Sequence, residues 1–192
     1  MSSQEKLTLY PIKNISGTVT LPGSKSLSNR ILLLSMLAEG CTEIHNLLDS
    51  DDTRRMVEAL NTLGVEIIED RNQNRISVYG TSGKIPVTKA HLMLGNAGTA
   101  IRPLTAALTT GKGRFVLDGV QRMRERPIID LVKGLQQLGA EVNCINGTDS
   151  PPVEVIANGL PGGTTCLSGA ISSQYLSAIL MAAPYAKKNV QI

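Results

Sequence analysis

Hydrophobic residues recur every three to four positions in some segments of this chain and every second position in others. The first spacing is typical of a helix with one buried face and the second of a strand. From the start of the chain the pattern predicts strands over residues 7–11 and 17–21, a helix from about residue 25 to Gly40, a strand over 42–48, a helix over 53–63 and a hairpin of 65–68 with 75–78. Gly40 and Gly64 are placed to end the two helices.

The same order of elements then begins again. The octet from Gly95 to Arg102 lies 72 residues after the octet from Gly23 to Arg30, and both lead into an apolar helix. We expect strands over 92–94 and 114–117, a helix over 127–138 and a hairpin of 142–145 with 153–156. A third start at Gly169 runs into a helix over 176–183. The sequence therefore predicts an α/β fold of repeated units, with the third unit incomplete and the chain a fragment.

Polar and basic residues at three predicted helix starts, and an arginine just before a fourth, suit an anion. Helix starts offer unpaired N–H groups and the positive end of the helix dipole, and lysine or arginine adds charge. The candidates are Lys25, Ser26 and Arg30 at the first start, Asn96 and Gly98 at the second, Arg126 before a helix that we expect to begin at Pro127, and Ser172, Ser173 and Gln174 at the third.

Each of these features also has a purely structural interpretation. A serine at a helix start is commonly an N-cap, and a run of arginines such as residues 122–126 is usually a solvated face. Gly98 fits either the close approach of a ligand or a helix–helix contact. The repetition of polar helix starts favours an anion-binding cleft.

Composition narrows the class of protein further. Hydrophobic residues make up 42% of the 192-residue chain and charged residues 18%, which predicts a packed core, and aromatic residues make up only 3%, so that core is aliphatic. A net charge of +3 is too small to indicate nucleic-acid binding, and small acidic ligands fit better. Three widely spaced cysteines predict reduced thiols without a metal site. No secretory signal or membrane span is expected.

Five motifs in order resemble those of the 5-enolpyruvylshikimate-3-phosphate synthases, a family of enolpyruvyl transferases. They are residues 21–30, 47–52, 94–104, 122–128 and 172–184, and residues 27–31 and 117–119 are most similar to the plant-like branch. The resemblance implies an inverse α/β barrel-like fold of two domains, each with three βαβαββ units. Residues 1–20 would then belong largely to the other domain, and 21–192 would form an incomplete shikimate-3-phosphate-binding domain with units of about 21–80, 85–157 and 163–192.

The resemblance also implies a reaction, the transfer of the enolpyruvyl group of phosphoenolpyruvate to the 5-hydroxyl of shikimate-3-phosphate, without a metal or organic cofactor. Glyphosate is the inhibitor it implies, the missing C-terminal half is the partner, and the cytoplasm or a plastid is the location. The implied roles are Lys25 as catalytic residue in contact with both substrates; Ser26, Arg30, Ser172 and Ser173 on shikimate-3-phosphate; Asn96, Gly98 and Arg126 on phosphoenolpyruvate; and Gln174 between the two ligands.

Departures from the family pattern are few. Ile101, Gln121 and Ala170 stand where the family often has methionine, proline and serine, and the acid–base residues of the other domain lie outside this sequence. We therefore expect weak or no turnover by this chain alone. Two alternatives stay open: the sister transferase that acts on UDP-N-acetylglucosamine, and a non-catalytic anion-binding or assembly module that needs a partner chain.

Overall fold

Helices and strands alternate through residues 7–70, 73–168 and 172–192, the part of the chain that this computed structural model describes. The helices are α1 (Lys25–Leu37), α2 (Asp51–Thr62), α3 (Gly98–Leu108), α4 (Ile129–Gln137) and α5 (Ser173–Ala182). The strands are β1 (Cys41–His45), β2 (Ile67–Asp70), β3 (Arg75–Tyr79), β4 (Lys89–Met93), β5 (Lys112–Asp118), β6 (Glu141–Cys144), β7 (Val153–Asn158), β8 (Gly163–Thr164) and β9 (Val190–Gln191).

Two sheets of the same design follow each other along the chain. The first has the strand order β1-β3-β2, and the second has the order β4-β5-β7-β6 with β4 parallel to β5. In each sheet a hairpin (β2 with β3, β6 with β7) adds its second strand antiparallel to the strand that follows the first helix. The predicted α/β fold with repeated units is confirmed, and the second unit displays the full βαβαββ order.

The first two predicted strands are wrong. Residues 7–11 and 17–21 form no strand, and their large apolar side chains are exposed, with Leu9 81% and Val19 81% accessible. Alternating hydrophobicity makes a strand only where a neighbouring strand accepts its backbone hydrogen bonds. Among the described strands β1 pairs only with β3, whereas β5 lies between β4 and β7, so the first sheet lacks the counterpart of β4.

The predicted aliphatic core is centred on α3. Ten of its eleven residues are buried, and it contacts α1, α2, α4 and α5 as well as β5 and β7. Around it the larger fully buried side chains are mostly leucine, isoleucine and methionine, with Phe115 and Tyr175 as the aromatic exceptions. None of the helices in the described ranges has the length and apolar character needed to cross a membrane.

The fourth helix begins two residues later than predicted. Pro127 lies before α4 and not at its first position, because the backbone N–H groups of Ile128 and Ile129 both donate to the carbonyl of Asp149. The Pro127 carbonyl is thereby left to accept a hydrogen bond from the Tyr175 hydroxyl at 2.7 Å. The loop before α4 is thus tied to α5.

An ion pair between the exposed Arg124 and the buried Asp118 holds the loop that follows β5. Arg124 donates to both carboxylate oxygens of Asp118, at 3.0 and 2.6 Å, and the N–H of Gly119 donates to the same carboxylate. Burial of Asp118 opposes its ionisation, but these bonds outweigh it, so the pKa of Asp118 lies below its ordinary value of 3.8. The stability that the carboxylate contributes is therefore present above pH 3.8 and is lost as the pH falls below that value.

Replacing Asp118 with asparagine removes the dependence of stability on pH that this carboxylate causes. We expect Asp118→Asn to lower the free energy of unfolding at pH 7 by about 1.5–3 kcal/mol, the worth of hydrogen bonds to a charged group, and to lose less at pH 3. Urea unfolding at the two pH values measures both. Glu66→Gln, on an exposed side chain, is the control and should change stability by less than about 0.5 kcal/mol. Equal losses for Asp118→Asn at the two pH values would contradict the account.

Candidate functional site

The N-terminal turns of α1, α3 and α5 lie against one another. Asn29 of α1 donates from Nδ2 to the hydroxyl of Thr99 in α3 at 2.7 Å, and Arg30 of α1 donates to the hydroxyl of Ser177 in α5 at 3.3 Å. Arg102 of α3 donates to the side chain of Gln174 in α5 at 2.6 Å. Three positive helix ends therefore lie at the same side of the fold, and we call these first two turns of α1, α3 and α5 the helix-start site.

Lys25 is the first residue of α1, and its side chain is half exposed. Its Nζ lies 3.5 Å from Oδ2 of Asp52, which belongs to the first turn of α2. The same oxygen accepts a hydrogen bond from Thr99 at 2.9 Å. Asp52 and Thr99 were not candidates from the sequence, and they connect Lys25 to the start of α3.

Arg126 lies over the first turn of α3. Its Nη1 donates to the backbone carbonyl of Asn96 at 3.0 Å and to the side-chain oxygen of Asn96 at 3.2 Å. A Cβ atom added to Gly98 would lie 2.6 Å from Nη2 of Arg126 and 2.9 Å from its Cζ. A side chain at position 98 would therefore displace the Arg126 guanidinium, and this contact is a third interpretation beside the two that the sequence left open.

The three arginines in residues 122–126 have different surroundings. Arg122 pairs with Glu125 at 2.8 Å on the surface, and Arg124 holds the buried Asp118. The third, Arg126, is partly buried beside α3 and not at the start of α4, where we expected it. Of this cluster, Arg126 alone contacts the helix-start site.

The serines of the site differ in how they are used. Ser172 is the N-cap of α5 and accepts from the N–H of Gln174 at 3.2 Å, whereas Ser26 and Ser173 are exposed in the first turns of α1 and α5. Gly169, where the third repeat was predicted to start, lies outside the described residues.

Arg102 is the most buried charged residue at the site, and it was not among the candidates predicted from the sequence. Its side chain bridges Gln174 and the Pro127 carbonyl, and it lies over the ring of Tyr175 with Cζ 5.4 Å from the centroid. The signal that could have found it is its position in the repeat, because Arg102 ends the second octet as Arg30 ends the first. Both arginines reach α5.

The chemistry available here is that of anion recognition. Four cations, Lys25, Arg30, Arg102 and Arg126, are held by the helices and by the loop before α4, together with free hydroxyl groups at two helix starts. Such fixed donors suit phosphate and carboxylate groups. In the described ranges, no three His, Cys, Asp or Glu side chains gather closely enough to hold a metal ion.

Comparison with known proteins assigns a family to this geometry. The family model for EPSP synthase (3-phosphoshikimate 1-carboxyvinyltransferase) matches residues 9–192. The chloroplastic 3-phosphoshikimate 1-carboxyvinyltransferase of Petunia hybrida is 60% identical, over 97% of this chain and 38% of its own length. The 3-phosphoshikimate 1-carboxyvinyltransferase of a Marinomonas species is 53% identical, over 97% of this chain and 44% of its own length.

A solved structure of EPSP synthase from Acinetobacter baumannii superimposes with a TM-score of 0.79 at 29% identity, covering 88% of this chain and 38% of that one. The higher identity to the petunia protein than to the Marinomonas protein agrees with the plant-like motifs. The chain spans about two fifths of the length of these relatives.

The hydroxyl of Thr99 accepts a hydrogen bond from Asn29 of α1 and donates one to Asp52 of α2, so its removal should lower the stability of the fold. We expect Thr99→Val to lower the free energy of unfolding by about 1–3 kcal/mol, because the fully buried Asn29 amide loses its acceptor and Asp52 loses a donor. Thr62→Val is the matched control, since that exposed hydroxyl bonds only to its own helix at the Glu58 carbonyl. Urea denaturation compares the two variants, and similar small losses would argue against this role of Thr99.

Proposed function

Because the chain belongs to the EPSP synthase family, we propose that it forms the shikimate-3-phosphate-binding part of an enolpyruvyl transferase. The complete protein would transfer the enolpyruvyl group of phosphoenolpyruvate to the 5-hydroxyl of shikimate-3-phosphate and release phosphate. The observation that carries the proposal is the meeting of three helix N-termini with Lys25, Arg30 and Arg126 around them. Chloroplastic and bacterial relatives support either a plastid or the cytoplasm as its location.

Electrostatics explains why such a reaction needs this arrangement. Two anionic substrates repel each other, and bringing them together requires positive groups and N–H donors that are already in position. Holding the two ligands side by side also removes the entropic cost of a bimolecular encounter. Lys25, which begins α1 and is linked through Asp52 to α3, would contact both substrates.

The remaining residues divide between the two substrates. Ser26 and Arg30 on α1, with Ser172 and Ser173 on α5, would bind shikimate-3-phosphate. On the other side Asn96, Gly98 and Arg126 would bind phosphoenolpyruvate, with Gln174 between the two ligands. Glyphosate, as an inhibitor, would occupy the phosphoenolpyruvate side.

Turnover would require the rest of the protein. General acid–base groups contribute about 10²–10⁴-fold to such reactions, and in the family they belong to the other domain. The cations at the helix starts also fit a second candidate, a non-catalytic anion-binding or assembly module that requires a partner chain.

Calorimetry with shikimate-3-phosphate tests the proposal. The ligand is titrated into the 192-residue chain alone and into the chain supplemented with the complementary C-terminal portion of the petunia relative. We expect binding that Lys25→Ala weakens by about 10–100-fold, the equivalent of a charge-assisted hydrogen bond. Lys112→Ala is the control, because this exposed lysine begins β5, about 20 Å along the strand from Asp118, which lies next to the loop that leads into α3.

The possible results separate the candidates. Binding that depends on Lys25, with or without the added portion, supports the transferase. No binding in either mixture supports the assembly module, and equal affinities for Lys25→Ala and Lys112→Ala would remove Lys25 from the site.

The contact between Gly98 and Arg126 predicts strong non-additivity. In the same mixture with shikimate-3-phosphate bound, Gly98→Ala should weaken phosphoenolpyruvate binding by about 10-fold or more, because its methyl group displaces the Arg126 guanidinium. Arg126→Ala should weaken it at least as much. Adding Gly98→Ala to Arg126→Ala should then cost little more. Fully additive losses would mean that Gly98 acts independently of the arginine.

A further inference from the structure

The guanidinium of Arg102 is held in a site with very little access to solvent. The residue is 7% exposed, and burial is the main reason that its pKa lies below the ordinary value. Its two terminal nitrogens donate to the Gln174 side-chain oxygen and to the Pro127 carbonyl, at 2.6 and 3.4 Å. A buried charge with such specific partners is expensive to desolvate, which calls for a function that a hydrophobic side chain could not perform.

Arginine has only donors, and this settles the orientation of the glutamine amide. An amide has a carbonyl oxygen on one side and an NH₂ group on the other, and only the oxygen can accept from Arg102. The NH₂ group of Gln174 must therefore point away from Arg102. Among the described residues no acceptor lies within hydrogen-bonding distance of that NH₂ group, and the side chain is partly exposed at the start of α5.

Arg102 also contacts the loop that carries Arg126. The Pro127 carbonyl that it contacts also accepts from the Tyr175 hydroxyl, and the tyrosine ring lies under the guanidinium. Pro127 directly follows Arg126, so Arg102 holds both Gln174 and the backbone that carries Arg126.

We propose that Arg102 is a positioning residue that locks the amide of Gln174 with its NH₂ group directed at the ligand. Gln174 then acts only as a hydrogen-bond donor, and the ligand atom that it meets is an acceptor, a phosphate, carboxylate or hydroxyl oxygen. The identity of that ligand rests on the proposed function, whereas the orientation of the amide rests on the contact with Arg102.

The variant Gln174→Glu distinguishes a positioning role of Arg102 from a purely structural contact. Glutamate has the same shape and would form an ion pair with Arg102, so a purely structural contact would be retained or strengthened. Its two oxygens have no hydrogen to donate, and its charge would repel an anionic ligand. The proposal therefore requires Gln174→Glu to be well folded and defective in binding.

The experiment uses the chain together with the complementary C-terminal portion of the petunia relative. Thermal unfolding of Gln174→Glu should be unchanged or shifted upward, whereas phosphoenolpyruvate affinity, measured by calorimetry with shikimate-3-phosphate bound, should fall at least 10-fold. Arg102→Gln should weaken affinity less, because an amide at position 102 can pair with either orientation of Gln174. Gln137→Glu is the matched control, since Gln137 also accepts through Oε1, from Thr165 and Cys166, at the far end of α4.

Three results would overturn the inference. A marked fall in the melting temperature of Gln174→Glu would contradict the orientation, and unchanged phosphoenolpyruvate affinity in that variant would contradict the donor role. Equal losses for Gln174→Glu and Gln137→Glu would show that the effect is not local. Failure of the parent protein to bind either ligand would instead reject the proposed function, and the donor role with it.

Discussion

The helix α3 is buried on nearly all its faces, and the other elements are arranged around it. A helix with ten of eleven residues buried must be surrounded, and α1, α2, α4, α5 and the second sheet supply its neighbours. Contacts between α3 and the first turns of α1 and α5 place the starts of all three helices at one side of the fold. The collection of positive helix ends is thus a result of packing an apolar element.

Polar contacts then fix the orientation of the side chains at these helix starts more precisely than apolar packing alone would. Thr99 connects the buried Asn29 to Asp52, which faces Lys25, and Arg102 connects Gln174 to the backbone beside Arg126. Each link joins residues from different elements of the fold. Buried polar groups of this kind add specificity to a core only when their partners are present.

Much of the fold could be predicted because the local signals agree with the packing. Gly64 and Gly139, which end equivalent helices in the repeat, both have φ of 83°. The prediction of strands at residues 7–11 and 17–21 was wrong because a strand there would need a partner strand that the described part of the chain does not provide. In the site, Lys25, Gly98 and Arg126 stood out by residue type and spacing. Asp52 and Thr99 act through long-range contacts that no local pattern reveals, and Arg102 was marked only by its place at the end of the second octet.

The stacking of Tyr175 under Arg102 gives this protein a natural optical reporter. The sequence has no tryptophan and four tyrosines, so tyrosine emission is not masked by energy transfer to an indole. Of the four, Tyr175 is 2% exposed and has its hydroxyl on the Pro127 carbonyl and its ring against a guanidinium. Its near-ultraviolet signal should therefore differ from those of the other three, and it would report any movement of α3 against α5 without an attached dye.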